Sequence, residues 1–266
     1  MNKSLVQQQF GAHAASYATS FVHAKGASLE RLTALVAPQP HWQGLVIATG
    51  AGHTALAFAP HIAHIIASDL TEEMLEQTAQ LAAAQGCANL QTAHADAEAL
   101  PFADRRFDLV TCRIAAHHFA DAAAFVAEVW RVLRPGGTFA LVDNVSPDAE
   151  STPGFSDAAL NEAALAYNAF EKLRDPSHVR CLGMLEWRNL LARRGFTLLH
   201  RERLPKTMAL RPWAVRMGCD AATLKRLAAM LTEGSAALQA FLKPQQEGEE
   251  LLFTLDEVIL IAVKPA

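Results

Sequence analysis

Short apolar runs alternate with helical patterns through the first half of the chain. Runs rich in aliphatic residues predict strands at 45–48, 64–68, 90–93, 107–111 and 138–142. Apolar residues at helical spacing predict helices at 54–59, 71–85 and 122–133. Strands that alternate with helices are typical of a parallel sheet with both faces covered.

The second half of the chain has a different pattern. Residues 155–194 and 211–243 look mostly helical, and 196–203 fits a strand. Residues 251–263 form a long apolar strand pattern with no helix after it, which suits an antiparallel pairing at the end of the sheet. The N-terminal stretch 4–36 also looks helical, with Gly11 and Gly26 as the expected breaks.

Composition narrows the class of protein. The 266 residues are 51% hydrophobic and 19% charged, enough for one large domain with an ample core. The net charge of −4 and the lack of a basic run argue against a nucleic-acid partner. Four cysteines without CxxC spacing suggest reduced thiols in a cytoplasmic protein. The N-terminus is too polar for a signal peptide, and glycines and prolines interrupt the longest apolar stretch, so we expect no membrane span.

A glycine turn after the first strand carries most of the functional information. Gly50-Ala51-Gly52 lies between the strand 45–48 and the helix that starts at Thr54. Glycines allow a sharp turn and a close ligand, and the helix N-terminus offers unpaired N–H groups. The sequence also satisfies GxGxxA, and Asp69 lies 17 residues past Gly52, so the turn alone leaves a nicotinamide dinucleotide open.

Three further segments distinguish between the cofactors. They are 96–102 after the third strand, 107–110 at the fourth, and Leu133-Arg134-Pro135-Gly136-Gly137 before the fifth. Together with the glycine turn they resemble the class I S-adenosylmethionine-dependent methyltransferases. Segments 10–17 and 113–119 are similar to the ubiquinone/menaquinone-biosynthesis-type branch, and 174–180 resembles a bacterial subgroup of it. The resemblance covers roughly 8–145 and 171–188.

The resemblance implies a fold and a cofactor. The fold would be α/β and Rossmann-like, with a seven-stranded, mostly parallel sheet, an antiparallel last strand, order 3-2-1-4-5-7-6, and a helical lid. The whole chain would be one domain: a helical cap 1–37, a cofactor-binding core 38–145, lid insertions 146–195 and 209–245, and closing strands 196–208 and 251–264. The cofactor would be S-adenosylmethionine, with S-adenosylhomocysteine as its product.

The resemblance also assigns residues to this cofactor. Asp69 would accept both ribose hydroxyls, since a carboxylate is a two-oxygen acceptor. Asp96 would accept from the adenine amino group. The full set of expected cofactor contacts is Tyr17, Thr49, Gly50, Gly52, Asp69, Leu70, Met74, Asp96, Ala97 and Arg113. Ordinary loop capping is the alternative role for the two acids.

One position departs from the family pattern. An acid usually stands in strand one, four residues before the first glycine of the turn, and this chain has Val46 there. The acid normally orients the loop and the ammonium end of the cofactor. Losing a charge-assisted hydrogen bond costs about 1.5–3 kcal/mol, so we expect weaker cofactor binding or compensation by another polar group.

Methyl transfer from a sulfonium needs mainly alignment, and a base only where the acceptor must lose a proton. The candidates for that base are His117 and His118, which follow the fourth strand, and His178 in the lid. We slightly favour His118. Capping or a surface polar cluster is the structural alternative for each. The other histidines are scattered without metal-ligand spacing, so we expect no metal.

The expected function is methyl transfer to a small-molecule acceptor. Trp187, Trp213, Phe155 and Phe170 in the lid suggest an apolar or aromatic acceptor, although a lid must also pack itself. Two alternatives remain open: other chemistry that uses the cofactor as a scaffold, and binding without turnover. The helical lid could also form a homodimer interface.

Overall fold

A computed structural model describes residues 3–11 and 26–266, so Tyr17 lies outside the described residues. The chain separates into two compact units. The first comprises the described part of 1–143 with 190–202 and 259–266. The second comprises 144–189 and 203–258.

The first part of the chain has the alternation that the sequence predicts. Its elements are α1 (Lys3–Gly11), α2 (Ala27–Val36), β1 (Gln43–Ile47), α3 (His53–Phe58), β2 (His64–Asp69), α4 (Glu72–Ala84), β3 (Leu90–His94), β4 (Phe107–Arg113), α5 (Ala122–Val132) and β5 (Leu133–Asn144). Short 3-10 turns lie at Ala59–His61 and Ala116–His118. The break at Gly26 is confirmed, because Gly26 has an extended backbone and directly precedes α2. Gly11 is the last described residue of α1, so the break predicted there stays a prediction.

The later part of the chain is mainly helical. Its elements are α6 (Asp157–Arg174), α7 (Met184–Arg194), β6 (Thr197–Ala209), α8 (Leu210–Val215), α9 (Ala221–Thr232), α10 (Ala236–Leu242), β7 (Gln245–Glu247) and β8 (Glu250–Val263). The long helical stretches predicted at 155–194 and 211–243 are therefore two and three shorter helices. Within the described residues, no helix is both long and apolar enough to cross a membrane.

The strand order confirms the expected Rossmann-like sheet. The order is β3-β2-β1-β4-β5-β8-β6, and β1 pairs in parallel with β2 and β4. Lys264, just after β8, exchanges backbone hydrogen bonds of 2.7 and 2.9 Å with Gly136 and Gly137 near the start of β5, so β8 runs antiparallel to β5. The three-residue β7, antiparallel to β8, is an addition to the seven expected strands.

The central strands are buried on both faces. Leu45, Ile65, Val110 and Leu141, one from each of four neighbouring strands, are fully buried. Near-continuous aliphatic runs are what a parallel sheet covered by helices requires. This rigid layer fixes the positions of the loops at the carboxyl ends of its strands.

The Pro135-Gly136-Gly137 segment differs from the prediction. The sequence suggests a turn before a strand at 138–142, but β5 begins at Leu133 and includes the segment. The pairing with β4 shifts there, because Leu133 pairs with Phe107 while Thr138 pairs with Leu109. Gly136 has φ +78°, so the turn residues form a bulge inside the strand rather than a separate turn.

The second unit has an aromatic core of its own. Phe170 stacks on Trp213 at 5.1 Å between ring centroids, and Phe253 packs edge-to-face against both rings. Tyr167 and Phe241 extend this cluster at 5.4 Å. Much of the aromatic content of the predicted lid therefore packs within this unit.

Candidate active site at the carboxyl edge of the sheet

The carboxyl ends of β1, β2, β4 and β5 lie side by side at one edge of the first unit. The chain reverses its direction of winding between β1 and β4, the place where open α/β sheets bind ligands. The loops after these strands carry most of the residues that the sequence assigns to the site.

The glycine turn after β1 has the backbone of a ligand cradle. Gly50 and Gly52 have φ of +55° and +89°, and Ala48 also adopts a left-handed conformation at +51°. Among the described residues other than its chain neighbours, no atom lies within 4 Å of the place that a Cβ on Gly50 would take. A Cβ on Gly52 would meet the Thr78 side chain at 2.7 Å. Gly52 is therefore required by packing, whereas Gly50 keeps one face of the turn open.

Asp69, the last residue of β2, ties the glycine turn to the following loop. Its Oδ2 accepts from the Gly50 N–H at 2.8 Å, and its Oδ1 accepts from the Thr71 N–H at 3.0 Å. The side chain is buried, and burial raises the pKa of this carboxyl while the backbone donors oppose the rise. A carboxylate has about four acceptor positions, so each oxygen retains capacity for a ligand hydroxyl.

The expected adenine side of the site is also brought to this edge. Asp96 follows β3, and its Oδ1 accepts from the Glu98 N–H at 3.0 Å. Leu70 follows Asp69 directly and is half-buried, while Met74 and Ala97 are buried. These residues are near each other in the fold because they follow the neighbouring strands β2 and β3.

Helix α1 lies against the same edge. Lys3 forms ion pairs with Asp96 and Glu98, and the Gln7 amide donates to the Leu70 carbonyl at 2.9 Å. Phe10 packs edge-to-face on His118 with ring centroids 5.0 Å apart. A cofactor amino group at Asp96 would therefore compete with Lys3.

Two features of this edge fit an adenosyl ligand. The buried hydroxyls of Thr49 and Thr71 have no hydrogen-bond partner among the described residues, and an unpaired buried hydroxyl is costly. Thr71 is the residue before α4, a position where threonine is a favoured N-cap, yet its side chain makes no cap bond. With the open face of Gly50, these hydroxyls give a polar ligand both space and partners.

Arg113 and Val46 lie next to the glycine turn, on the neighbouring strands β4 and β1. The Arg113 Nε, at the end of β4, donates to the Thr54 hydroxyl at 3.1 Å at the start of α3. Val46 is almost fully buried in β1 beside Thr111 of β4, whose hydroxyl is buried without a partner among the described residues. The position of the usual acid is thus apolar but has one polar neighbour.

The two histidines after β4 have different surroundings. The His117 Nδ1 lies 2.6 Å from Oδ1 of Asp143, and Oδ2 of the same carboxylate accepts from the His117 N–H at 2.8 Å. His118 packs against the rings of Phe10 and His117. His117 therefore contacts a buried carboxylate through both its ring and its main chain.

His178, the third candidate, lies in the second unit. It is buried, and its Nε2 lies 2.9 Å from Oδ1 of Asn168 on α6. The same Asn168 oxygen accepts from the Cys181 N–H at 2.7 Å. These bonds hold the loop after α6 against that helix, which supports a structural contribution from His178.

Asp143 is the site residue that the sequence analysis missed. It lies near the end of β5 and is 1% exposed. A signal was present, because an acid that ends an apolar strand is the same pattern that singled out Asp69. What the sequence did not supply was its partner on another loop.

Comparisons with known proteins identify the family of the chain. A family model described as "Methyltransferase domain" matches residues 45–141. The uncharacterized methyltransferase YcgJ of Bacillus subtilis is 33% identical over 96% of this chain and 97% of its own length. The crystal structure of a Bacillus halodurans C-125 protein, 33% identical, superposes with a TM-score of 0.82 over 91% of this chain and 100% of that chain. The demethylmenaquinone methyltransferase of Deinococcus radiodurans is 38% identical over 39% of this chain and 43% of its own length.

The fold and the glycine turn define an α/β protein of the methyltransferase type. The chain belongs to the class I S-adenosylmethionine-dependent methyltransferases, since the likeness to YcgJ extends over nearly the whole length of both proteins. The likeness to demethylmenaquinone methyltransferases covers less of the chain than the likeness to YcgJ: 39% of it for the Deinococcus radiodurans protein and 64%, at 30% identity, for the Clavibacter sepedonicus protein.

Proposed function

We propose that this protein transfers a methyl group from S-adenosylmethionine to a small-molecule acceptor. The arrangement of Asp69 against the glycine turn is the observation that supports this most directly. A buried carboxylate held by two backbone N–H groups keeps its orientation, and its remaining lone pairs suit a pair of ribose hydroxyls.

Different residues at this edge of the sheet would bind different parts of the cofactor. Asp69 holds the ribose, the open face of Gly50 admits the sugar and methionine part, and Asp96 accepts from the adenine amino group in place of Lys3. The bound cofactor supplies an electrophilic methyl group with its own leaving group. The protein therefore contributes mainly alignment and exclusion of water.

An apolar or aromatic acceptor is part of the proposal. Its support is the aromatic content of the lid segments, but Trp213 and Phe170 contact each other within the second unit. The support therefore rests on the remaining apolar residues of those segments. The cytoplasm is the proposed location, because the four cysteines of the chain are all unbridged.

Val46 keeps one alternative open. An apolar residue replaces the acid expected in strand one, and it is 1% exposed. A protein that binds the cofactor without this charge could use it as a scaffold for chemistry other than methyl transfer. The two functions differ in whether S-adenosylhomocysteine accumulates when an acceptor is consumed.

Calorimetric titration with S-adenosylhomocysteine tests the proposal. We expect wild-type protein to bind, and Asp69→Asn to bind about ten- to a hundredfold more weakly, the equivalent of one charge-assisted hydrogen bond of about 1.5–3 kcal/mol. Asp157→Asn, at the exposed start of α6, is the matched control and should bind as the wild type does. Unchanged affinity in Asp69→Asn, with the fold intact by circular dichroism, would contradict the proposed binding mode.

A further inference from the structure

One buried carboxylate holds the turn after β4 at two points. Asp143 accepts from the backbone N–H of His117 at 2.8 Å through Oδ2 and contacts Nδ1 of the same residue at 2.6 Å through Oδ1. The carboxylate is 1% exposed and the histidine 9% exposed. Both the main chain and the ring of His117 are therefore fixed by a single group.

This arrangement determines which ring nitrogen carries the proton. An ionised carboxylate can only accept hydrogen bonds, so the Nδ1 next to it must donate. In a neutral imidazole the other nitrogen, Nε2, then has the lone pair. A histidine oriented in this way by a carboxylate is ready to take a proton at Nε2, and the carboxylate stabilises the charge that results.

The backbone conformation of the turn after β4 supports a role of this turn in the active site. Ile114 has φ +54°, a conformation that is unfavourable for a β-branched residue, and its N–H donates to the Val142 carbonyl at 2.7 Å. The end of β5 thus holds the turn through Val142 and again through Asp143. Strain of this kind persists where the surroundings determine the geometry, and it clusters at active sites.

The position of the pair in the sheet connects it to the cofactor edge. His117 follows β4, which lies between β1 with its glycine turn and β5 with Asp143. Arg113, just before the turn, bonds to Thr54 at the start of the helix that follows the glycines. Cofactor turn and histidine turn are therefore neighbours on the first unit.

We propose that His117 is the general base of the reaction, that Asp143 is its positioning residue, and that the acceptor is a compound that must lose a proton: a phenol, a thiol or an acidic carbon. The inference rests on the proposed function. The acceptor X–H gives its proton to Nε2 of His117, and its electron pair forms the bond to the methyl carbon. The electron pair of the broken carbon–sulfur bond stays on sulfur, and the histidine later releases the proton to water.

Other ionisable groups surround the pair. His118 lies on the same turn with its ring centroid 4.2 Å from that of His117, and Arg113 precedes the turn. On β4, burial and the charges of Asp143 and Asp69 raise the pKa of the Cys112 thiol well above its usual value, so this thiol stays neutral. If Asp143 served only to brace the turn, its bond from the His117 N–H would be enough, whereas a base also needs the contact at Nδ1.

Nitrogen NMR of the histidine rings tests the assignment without a substrate. We expect neutral His117 to be protonated at Nδ1 in the wild type. In Asp143→Asn one of the two carboxylate oxygens becomes an NH2 group, which cannot accept. Where that group faces Nδ1, Nδ1 must accept and the ring proton moves to Nε2, so we expect the Nε2-protonated form in a measurable fraction of molecules. His41→Gln, which removes an exposed histidine, is the control for the spectral assignment. An Nε2-protonated His117 in the wild type would overturn the proposal.

Transfer of labelled methyl groups tests the acceptor class. The probes are 4-methylphenol, benzenethiol and acetylacetone, each paired with a compound that has no such proton: anisole, thioanisole and N,N-dimethylaniline. We expect label to enter the first set, and His117→Gln to reduce the rate at least a hundredfold, within the range of general-base effects. Asp143→Asn should reduce it about tenfold or more and shift the pH profile.

Three results would overturn the proposal: label in the second set or in neither set, a loss in His118→Gln at least as large as in His117→Gln, or no change of the pH profile in Asp143→Asn. Titration with S-adenosylhomocysteine separates these failures from a failure of the proposed function. Affinity retained in His117→Gln and Asp143→Asn places the fault in the catalytic assignment. Absence of binding in the wild type would overturn the proposed function itself.

Discussion

Alanine at Gly50 and at Gly52 should have different effects, although the two glycines belong to the same turn. Both have positive φ, where alanine costs about 1–2 kcal/mol, offset by about 0.4–1 kcal/mol because alanine restricts the unfolded chain. The net loss for Gly50→Ala is about 1 kcal/mol, because the new methyl group would have no atom within 4 Å from the part of the chain that the structure describes, its chain neighbours aside. Its methyl group would occupy the face of the turn that we assign to the cofactor.

Gly52→Ala has an additional packing cost. Its methyl group would lie 2.7 Å from Cγ2 of Thr78, which is fully buried and donates to the Gly50 carbonyl at 2.9 Å. Overpacking of this kind costs about 1–3 kcal/mol, so the total loss of stability is about 2–4 kcal/mol. We therefore expect Gly52→Ala to be the less stable of the two variants. Gly50→Ala should have the higher free energy of unfolding but lose affinity for S-adenosylhomocysteine at least tenfold.

Chemical denaturation followed by circular dichroism measures the stabilities, and calorimetry measures the affinities. Gly248→Ala is the matched control. Gly248 has φ +60°, no described residue beyond its chain neighbours lies within 4 Å of an added Cβ, and the residue belongs to the hairpin between β7 and β8. It should lose about the same stability as Gly50→Ala and leave affinity unchanged. Wild-type affinity in Gly50→Ala, or equal stability of the two turn variants, would refute the reasoning.

Four further predictions concern single side chains. Burial raises the pKa of Asp69 above the usual 3.8, so the contribution of this residue to folding stability declines as pH rises through that pKa. Affinity for S-adenosylhomocysteine should fall as pH drops through the same range, because the protonated carboxyl is a poorer acceptor. Stability and affinity of wild type and Asp69→Asn measured over a pH series check both effects, and a wild-type affinity independent of pH would contradict the prediction. Val46→Asp should tighten S-adenosylmethionine binding about tenfold or more while lowering stability because it buries a charge, and unchanged affinity would exclude a role for the missing acid. Lys3→Ala should tighten binding up to about fivefold by freeing Asp96, since partly exposed ion pairs contribute at most about 1 kcal/mol; weaker binding would argue against competition. Asp121→Ala should cost about 1 kcal/mol of stability by removing the N-cap of α5, which accepts at 2.9 and 3.0 Å, and no loss in thermal unfolding would show that the cap is dispensable.

Most of the fold could be predicted from local sequence patterns. The strand before Gly50, the turn and the following helix are adjacent in sequence, so aliphatic runs and glycines were sufficient to predict them. Asp69 was predictable for the same reason, since its position at the end of a strand puts it at the binding edge whatever the rest of the chain does.

Features that depend on contacts between distant segments were not predictable. Asp143 acts on His117, 26 residues earlier, and only the pairing of β4 with β5 brings them together. The Pro135-Gly136-Gly137 segment has turn composition, but the exchange of backbone bonds with Lys264 holds it in a strand. Thr71 has the sequence of an N-cap, yet its hydroxyl makes no cap bond and its N–H donates to Asp69.

Calorimetric titration of the wild-type protein with S-adenosylmethionine, S-adenosylhomocysteine and NADH tests the central claim most directly. The account predicts micromolar binding of both adenosyl compounds and no binding of NADH, because we propose that Asp69 and the glycine turn hold a single ribose next to a methionine part. Binding of NADH without the adenosyl compounds, or binding of none of the three, would contradict it.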